Sequence, residues 1–331
     1  MTPSSEQRQR RRRERYAWPP DPEPLPGPVV DNHTHLDSIH HVLGGVEPGG
    51  EWYPDGDGPE HVHEPVHVPT VAEHLARAAA VGVPRLVTVG CDLDAVTWTD
   101  AAVREHDALV GAVAIHPNEA VLHAGVREVG PDGLEPDPQP RHEVPLDDAI
   151  ARVAATARDN PRIRAIGETG MDLFRTGPQG ERVQRESFRA HLALAKELGL
   201  PLQIHDREAH AEVVEVLLAD GAPERTVFHC FSGDAALARL AADHGWYLSF
   251  AGPLTFGAND ALRAALAVTP LDRVLVETDA PYLTPHPFRG RPNAPYLLPH
   301  TVRRAAEVKG LELAEFCAAV VRNTAEVYGS W

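Results

Sequence analysis

Short apolar runs alternate along this chain with longer stretches whose apolar positions recur every three or four residues. The runs are Val29–Asp37, Pro84–Gly90, Leu109–Pro117, Ile163–Gly170, Pro201–Asp206, Arg225–Cys230, Trp246–Ala251 and Asp272–Asp279. Their continuous Val, Leu and Ile content predicts strands buried on both faces. Between and after them the period changes to that of helices. These are predicted over Val71–Val81, Asp94–Asp107, Pro145–Asn160, Gln179–Gly199, Ala209–Asp220, Asp234–His244, Asn259–Ala267, 299–309 and 311–328. Thr70 suits a helix N-cap, and Phe188, Leu192, Ala195 and Leu198 form one apolar stripe.

Eight strands, each followed by a helix or by a loop and helix, predict an α/β protein of the (β/α)8 TIM-barrel class. In that fold the chemistry gathers at the C-terminal strand ends. An open doubly wound sheet is the competing architecture, disfavoured because no Gly-rich phosphate loop follows the first strand. Two stretches break the rhythm and read as insertions, at about 38–69 and 118–144. The first is rich in Gly, Pro and His (His40, His41, His61, His63, His67), and its length suits an active-site loop. Its histidines suit a titrating surface loop or extra metal.

Residues 1–28 are expected as a disordered Arg- and Pro-rich tail, and 29–331 as the barrel. Residues 1–16 hold six arginines against two glutamates, and six prolines follow between Pro19 and Pro28. A basic segment of this kind is a solvated tail or a tether for nucleic acid or another acidic surface. The whole chain carries a net charge of −17, which excludes nucleic-acid binding through a broad basic face. It does not exclude a phosphate gripped at bound metal. No apolar run reaches membrane-spanning length, and the arginines have no apolar stretch behind them as a secretory signal would. Cys91, Cys230 and Cys317 are scattered and form no framework, so a cytoplasmic protein is expected.

The strand ends carry the chemistry. Residues i and i+2 of a strand share a face, so His33 and His35 present two imidazoles to one point. Glu168, His205, His229 and Asp279 occupy equivalent ends of later strands. Each alone is more often a satisfied structural residue than a ligand, but six at equivalent positions are expected to converge on one mouth. Four imidazoles and two carboxylates are too many for one closed tetrahedral site and suit two divalent ions. Glu168, with two oxygens, is the natural bridge.

The segments Asp31–Asp37 (DNHTHLD), Ile115–Pro117 (IHP), Gly167–Asp172 (GETGMD), His205–Ala209 (HDREA), His229–Gly233 (HCFSG) and Glu277–Leu283 (ETDAPYL) stand in a recognisable order. The trailing Arg289-Gly290, Asn293 and Pro295 fit as well. Together they resemble the TatD family of metal-dependent deoxyribonucleases, in the amidohydrolase-like hydrolase superfamily, from about residue 29 to the C-terminus. The resemblance implies one ion held by His33, His35, Glu168 and Asp279, and a second held by Glu168, His205 and His229. It also implies Arg207 and Arg289 as substrate contacts, their alternative being surface ion pairs. His116 reads as a further substrate contact, a ligand to another metal or a core histidine. Asn118 stands where the family often has another histidine, and both insertions and the tail lie outside the shared pattern. The 38–69 loop could cover the metals.

The activity implied is a DNase of exonuclease type that prefers single strands. Glu168 and Asp279 would be its catalytic carboxylates, with Asp279 taking the proton from a metal-activated water. The alternatives are hydrolysis of an ester, lactone or aminoacyl-tRNA bond, and a metal-binding protein without turnover. The histidine-rich set suits Zn²⁺ or Mn²⁺ better than Mg²⁺, although the resemblance implies that Mg²⁺ supports activity. DNA is the expected partner, with no membrane and no stable protein partner.

Overall fold

The computed structural model describes residues 16–39, 41, 45–53 and 65–331. Eight parallel strands form a (β/α)8 barrel. They are β1 (Val30–Thr34), β4 (Arg85–Gly90), β5 (Leu109–Val113), β6 (Ile163–Asp172), β7 (Leu202–Arg207), β8 (Thr226–Phe228), β9 (Tyr247–Phe250) and β10 (Val274–Val276), hydrogen-bonded in that order. The seam between β10 and β1 closes just beyond the strand ends, where Asp279 N donates to His33 O (2.9 Å) and His35 N donates to Ala280 O (2.7 Å). Among the described residues no helix is long and apolar enough to cross a membrane.

The period of two sorts each strand's side chains. Leu86, Leu109, Val113, Ile204, Phe228, Leu248 and Val276 pack outward against the helices. Val87, Val89, Val110, Ala112, Ala165, Val227, Tyr247 and Leu275 fill the barrel, joined by Val327 and Tyr328 from the end of the last helix, Leu313–Tyr328. That helix plugs one end of the barrel, and the mouth at the other end is left to polar side chains.

Local signals account for most element boundaries. Thr70 accepts from Glu73 N while Glu73 reaches back to Thr70 N, a capping box that starts the helix Val71–Ala80. Several expected bounds shift. The last strand is only Val274–Val276, because Leu271–Arg273 forms a 3₁₀ turn. β6 runs past Glu168 to Asp172. The 118–144 insertion is not all loop. A helix, Pro117–His123, opens it, with Pro117 at a position where a missing N–H costs nothing and His116 Nδ1 accepting from Asn118 N (3.1 Å).

Within 38–69, Glu51–Trp52 (β2) pairs antiparallel with Val66–His67 (β3). His67 Nε2 lies 3.1 Å from the Glu73 carboxyl on the surface, whereas His40, His61 and His63 lie outside the described residues. Packing begins before Val29. Arg77 and the Tyr296 hydroxyl donate to Pro19 O, Arg291 to Ala17 O and Trp18 O, and Arg303 to Glu23 O and Pro24 O. Leu25 is buried. The arginines of the opening segment lie outside the described residues.

One buried histidine carries a stability prediction. His191 Nε2 accepts from Ile115 N (3.1 Å) and His191 Nδ1 donates to Ser187 O (2.8 Å), so the neutral ring is the bonded form. Burial lowers its pKa to about 4. The unfolded chain therefore binds the extra proton first, and stability should fall as pH drops below ~6.5, by up to about 2 kcal/mol at pH 5. His191→Gln, which keeps both an acceptor and a donor, should show a shallower dependence of its urea midpoint on pH between 7 and 5. Equal slopes would remove this assignment.

Candidate metal centre

The strand period that fills the barrel also stacks its polar layers. On β7, Gln203, His205 and Arg207 follow one another at i and i+2, and Leu275, Glu277 and Asp279 do so on and beyond β10. Asp31, His33 and His35 repeat the pattern at β1, Val89 and Cys91 at β4, and Ala112, Ala114 and His116 at β5. From these ladders His33, His35 and Asp279 meet, and His205 joins them through Glu168, while Arg207 stands apart.

His33 Nε2 lies 3.2 Å from His35 Nε2, and His35 Nε2 lies 3.4 Å from both Asp279 Oδ1 and Glu168 Oε1. His33 Nε2 is 3.8 Å from Glu168 Oε1 and 3.9 Å from Asp279 Oδ1. On the other side of the same carboxylate, Glu168 Oε2 lies 2.5 Å from His229 Nε2 and 3.1 Å from His205 Nδ1. Donors about 2.1 Å from one tetrahedral ion stand ~3.4 Å apart, so His33, His35 and Asp279 have the spacing of a ligand set, with Glu168 Oε1 flanking both histidines. With His33 Nδ1 turned to Gln203 Oε1, His33 Nε2 presents its lone pair to the centre, toward the His35 hydrogen bond or a cation in its place. A divalent ion fits. The Glu168 oxygens serve separate groups, one each, as a bridging carboxylate must.

Most of these groups are buried, His33 completely. Burial opposes the charge on Glu168, but His229, His205 and His33 hold its carboxyl well below the usual range. Burial likewise opposes Asp279, and His35 and His229 hold it low. Against the opposing effect of burial, the same contacts push the His35 and His205 pKa values up to about 9, so an ion that binds here displaces protons from those rings.

Partners that sequence reasoning passed over hold the ligands in place. Gln203 Oε1 lies 3.1 Å from His33 Nδ1, and its Nε2 donates to Asn32 O and to the Tyr328 hydroxyl. Glu277 Oε1 lies 3.3 Å from His229 Nδ1 and accepts from Cys230 N. Asp172 Oδ2 faces His205 Nε2 at 3.3 Å and accepts from Asn118 Nδ2. Asn118, which stands where the family often has a histidine, therefore orients a ligand through Asp172. Cys91 Sγ donates to Glu168 Oε1 (3.2 Å). Gln203 and Glu277 stand at i−2 of His205 and Asp279, so the same-face rule that paired His33 with His35 would have found both.

The ring of His116 packs 4.4 Å from that of His205, and the two group with Glu168, so His116 faces the mouth. Arg207 and Arg289 form no ion pairs with the described residues. Each lays its guanidinium on a phenylalanine face, Arg207 on Phe174 (4.3 Å) and Arg289 on Phe256 (4.1 Å). Neither touches the six converging residues.

Glu277→Gln is expected to weaken metal affinity about 10- to 100-fold, the usual cost of removing a ligand's orienting carboxylate. Competition with a chromophoric chelator measures this directly, and unchanged affinity would deny Glu277 the role.

Known proteins share this fold and its family. Residues 30–329 match the family described as TatD related DNase. An uncharacterized metal-dependent hydrolase, TatD, of Mycobacterium tuberculosis is 38% identical over 305 residues, covering 91% of this chain and 98% of its own. The uncharacterized metal-dependent hydrolase YabD of Bacillus subtilis is 32% identical, covering 81% and 96%. Among solved structures, the TatD homolog YjjV of Escherichia coli superposes with a TM-score of 0.71 at 23% identity, covering 92% and 98%. The phosphotriesterase homology protein of the same organism, solved with phosphate in its active site, scores 0.57 at 15% identity, covering 92% and 99%. The match over nearly the whole chain and the convergent His, Glu and Asp residues lead to one conclusion: this chain belongs to the TatD family of metal-dependent hydrolases.

Proposed function

We propose that the protein is a dinuclear metal-dependent DNase that removes nucleotides from an end of single-stranded DNA. The observation that carries this reading is Glu168, whose two oxygens face two separate histidine groups. The family's description as DNases supports the substrate class. Phosphate in the active site of the Escherichia coli phosphotriesterase homology protein fits the same chemistry. Divalent ions (Mg²⁺, Mn²⁺ or Zn²⁺) held by His33, His35, Glu168 and Asp279 on one side, and by Glu168, His205 and His229 on the other, would lower the pKa of a water and offset phosphate charge.

The chain's own residues would do the rest. Asp279, kept ionised by its histidine neighbours, would accept the proton of the attacking water. Arg207 and Arg289, free of carboxylate partners among the described residues, would bind phosphate oxygens, as planar guanidinium groups do well. His116 would contact substrate beside His205. Cysteines without a disulfide framework support a reducing, cytoplasmic setting.

One observation favours a second reading. A net charge of −17 gives a polyanion no help, as hydrolysis of a small ester or lactone would not require. End-labelled single-stranded DNA, incubated with metal-stripped protein and titrated with Mg²⁺, Mn²⁺ and Zn²⁺, separates the two. A ladder that needs added metal is expected, and its polarity gives the direction of attack. No cleavage with any ion, together with salt-insensitive hydrolysis of a small ester, would replace the nuclease by the esterase.

A further inference from the structure

Tyr282 is half exposed (54%) and its neighbour Leu283 is 37% exposed. These are two of the five large hydrophobic residues left exposed among the described residues, adjacent in the chain. The Tyr282 ring stands 5.8 Å from that of His35, steeply inclined to it. Left exposed beside the buried histidines, the ring contributes little burial to folding and keeps an open aromatic face at the site.

The backbone beneath it is firmly held. Tyr282 N donates to Asp279 O (2.8 Å), and Asn293 Nδ2 donates to both Tyr282 O (2.5 Å) and Thr278 O (3.0 Å). Leu283 adopts a left-handed backbone (φ 57°), unusual for a branched residue. The Leu283 carbonyl is backed so closely by Gly252 that a Cβ there would lie 1.9 Å from its oxygen. Strain of this kind persists only where the surroundings impose it, and it clusters at ligand-holding sites. The segment is built to keep one ring in one place, three residues beyond Asp279 in the ETDAPYL motif.

We infer that Tyr282 is a stacking platform for a nucleobase next to the scissile phosphodiester. The inference rests on the nuclease reading and adds to it a base-binding subsite and a reason for preferring unpaired strands. An unpaired base of a single strand can turn its face onto the ring at no cost, whereas a base inside a duplex must first be unstacked, and stacking accepts any base because each has a π-face. Arg289 on Phe256 and Arg207 on Phe174 would supply flat cations for the strand's phosphates.

The test is a cycle of enzyme and substrate variants. Wild type, Tyr282→Ala and Tyr282→Phe are compared on a short single-stranded oligonucleotide. They are then compared on versions with one abasic residue on either side of the cleaved bond. Tyr282→Ala should lower kcat/KM on the intact oligonucleotide roughly 5- to 150-fold, the range of one base–aromatic stack. Tyr282→Phe should stay close to wild type. One of the abasic substrates should lower the wild-type value by a similar factor, with no further loss in Tyr282→Ala. Full activity of Tyr282→Ala on the intact strand would overturn the inference. So would losses that multiply on both abasic substrates, or a Tyr282→Phe as impaired as Tyr282→Ala, which would move the role to the hydroxyl. Wild type that degrades no DNA would remove the nuclease reading and this subsite together. That failure is seen before any variant is made.

Discussion

Glu168→Gln is expected to lower hydrolysis by about three orders of magnitude or more, the several kcal/mol that bound ions supply to a charged transition state. The substitution keeps the shape of the side chain and changes what its two ends can do. Glu168 Oε1 stands 3.4 Å from His35 Nε2, and its Oε2 stands 3.1 Å from His205 Nδ1 and 2.5 Å from His229 Nε2. An amide offers one acceptor oxygen and one NH₂ group, which has no lone pair for a cation. One side of the bridge must therefore lose its donor. The negative charge between four histidines goes too, in a setting only 4% exposed. Elemental analysis of the loaded protein should show fewer ions per chain than wild type, while far-UV circular dichroism stays the same. A variant with full metal content and full activity would show that the carboxylate does not bridge.

How much of this was visible in the amino acids depends on the kind of interaction. Strands and helices follow from periodicity, and the C-terminal strand ends bring His33, His35, Glu168, His205, His229 and Asp279 together because the barrel directs them to one mouth. The six convergent residues were legible for that reason. Pro117–His123 was not, because a Pro at the start of a helix reads like a break when the helix is only two turns long. The docking of residues 17–24 was invisible for a different reason. Arg77, Arg291, Arg303 and Tyr296 bind backbone carbonyls of that segment, and every residue offers a carbonyl, so no side-chain pattern announces it. The free arginines show a third limit. Whether a surface cation meets a carboxylate or a ring depends on loops brought together by the fold, and Phe174 and Phe256 come from elements remote from the residues they support.

Asp279→Asn should reduce kcat by roughly 10²- to 10⁴-fold, the contribution of a positioned proton acceptor, and should do so without disturbing the fold. The backbone at Asp279 has φ 53°, a conformation that Asn and Asp tolerate and most other residues do not. Asparagine therefore changes the charge and leaves the turn alone. Its N–H still donates to His33 O across the barrel seam (2.9 Å), and its oxygen still lies where Asp279 Oδ1 stands, 3.4 Å from His35 Nε2. Alanine makes the contrasting case, since it removes the carboxylate and also strains the backbone, by on the order of 1 kcal/mol. The expected pattern is a melting temperature unchanged in Asp279→Asn and lowered in Asp279→Ala, with activity lost in both. Metal held between Glu168, His205 and His229 should survive in the asparagine variant, because none of those donors is touched. An Asp279→Asn protein that turns over like wild type would transfer proton acceptance to another group, and would leave Asp279 a part of the seam rather than of the chemistry.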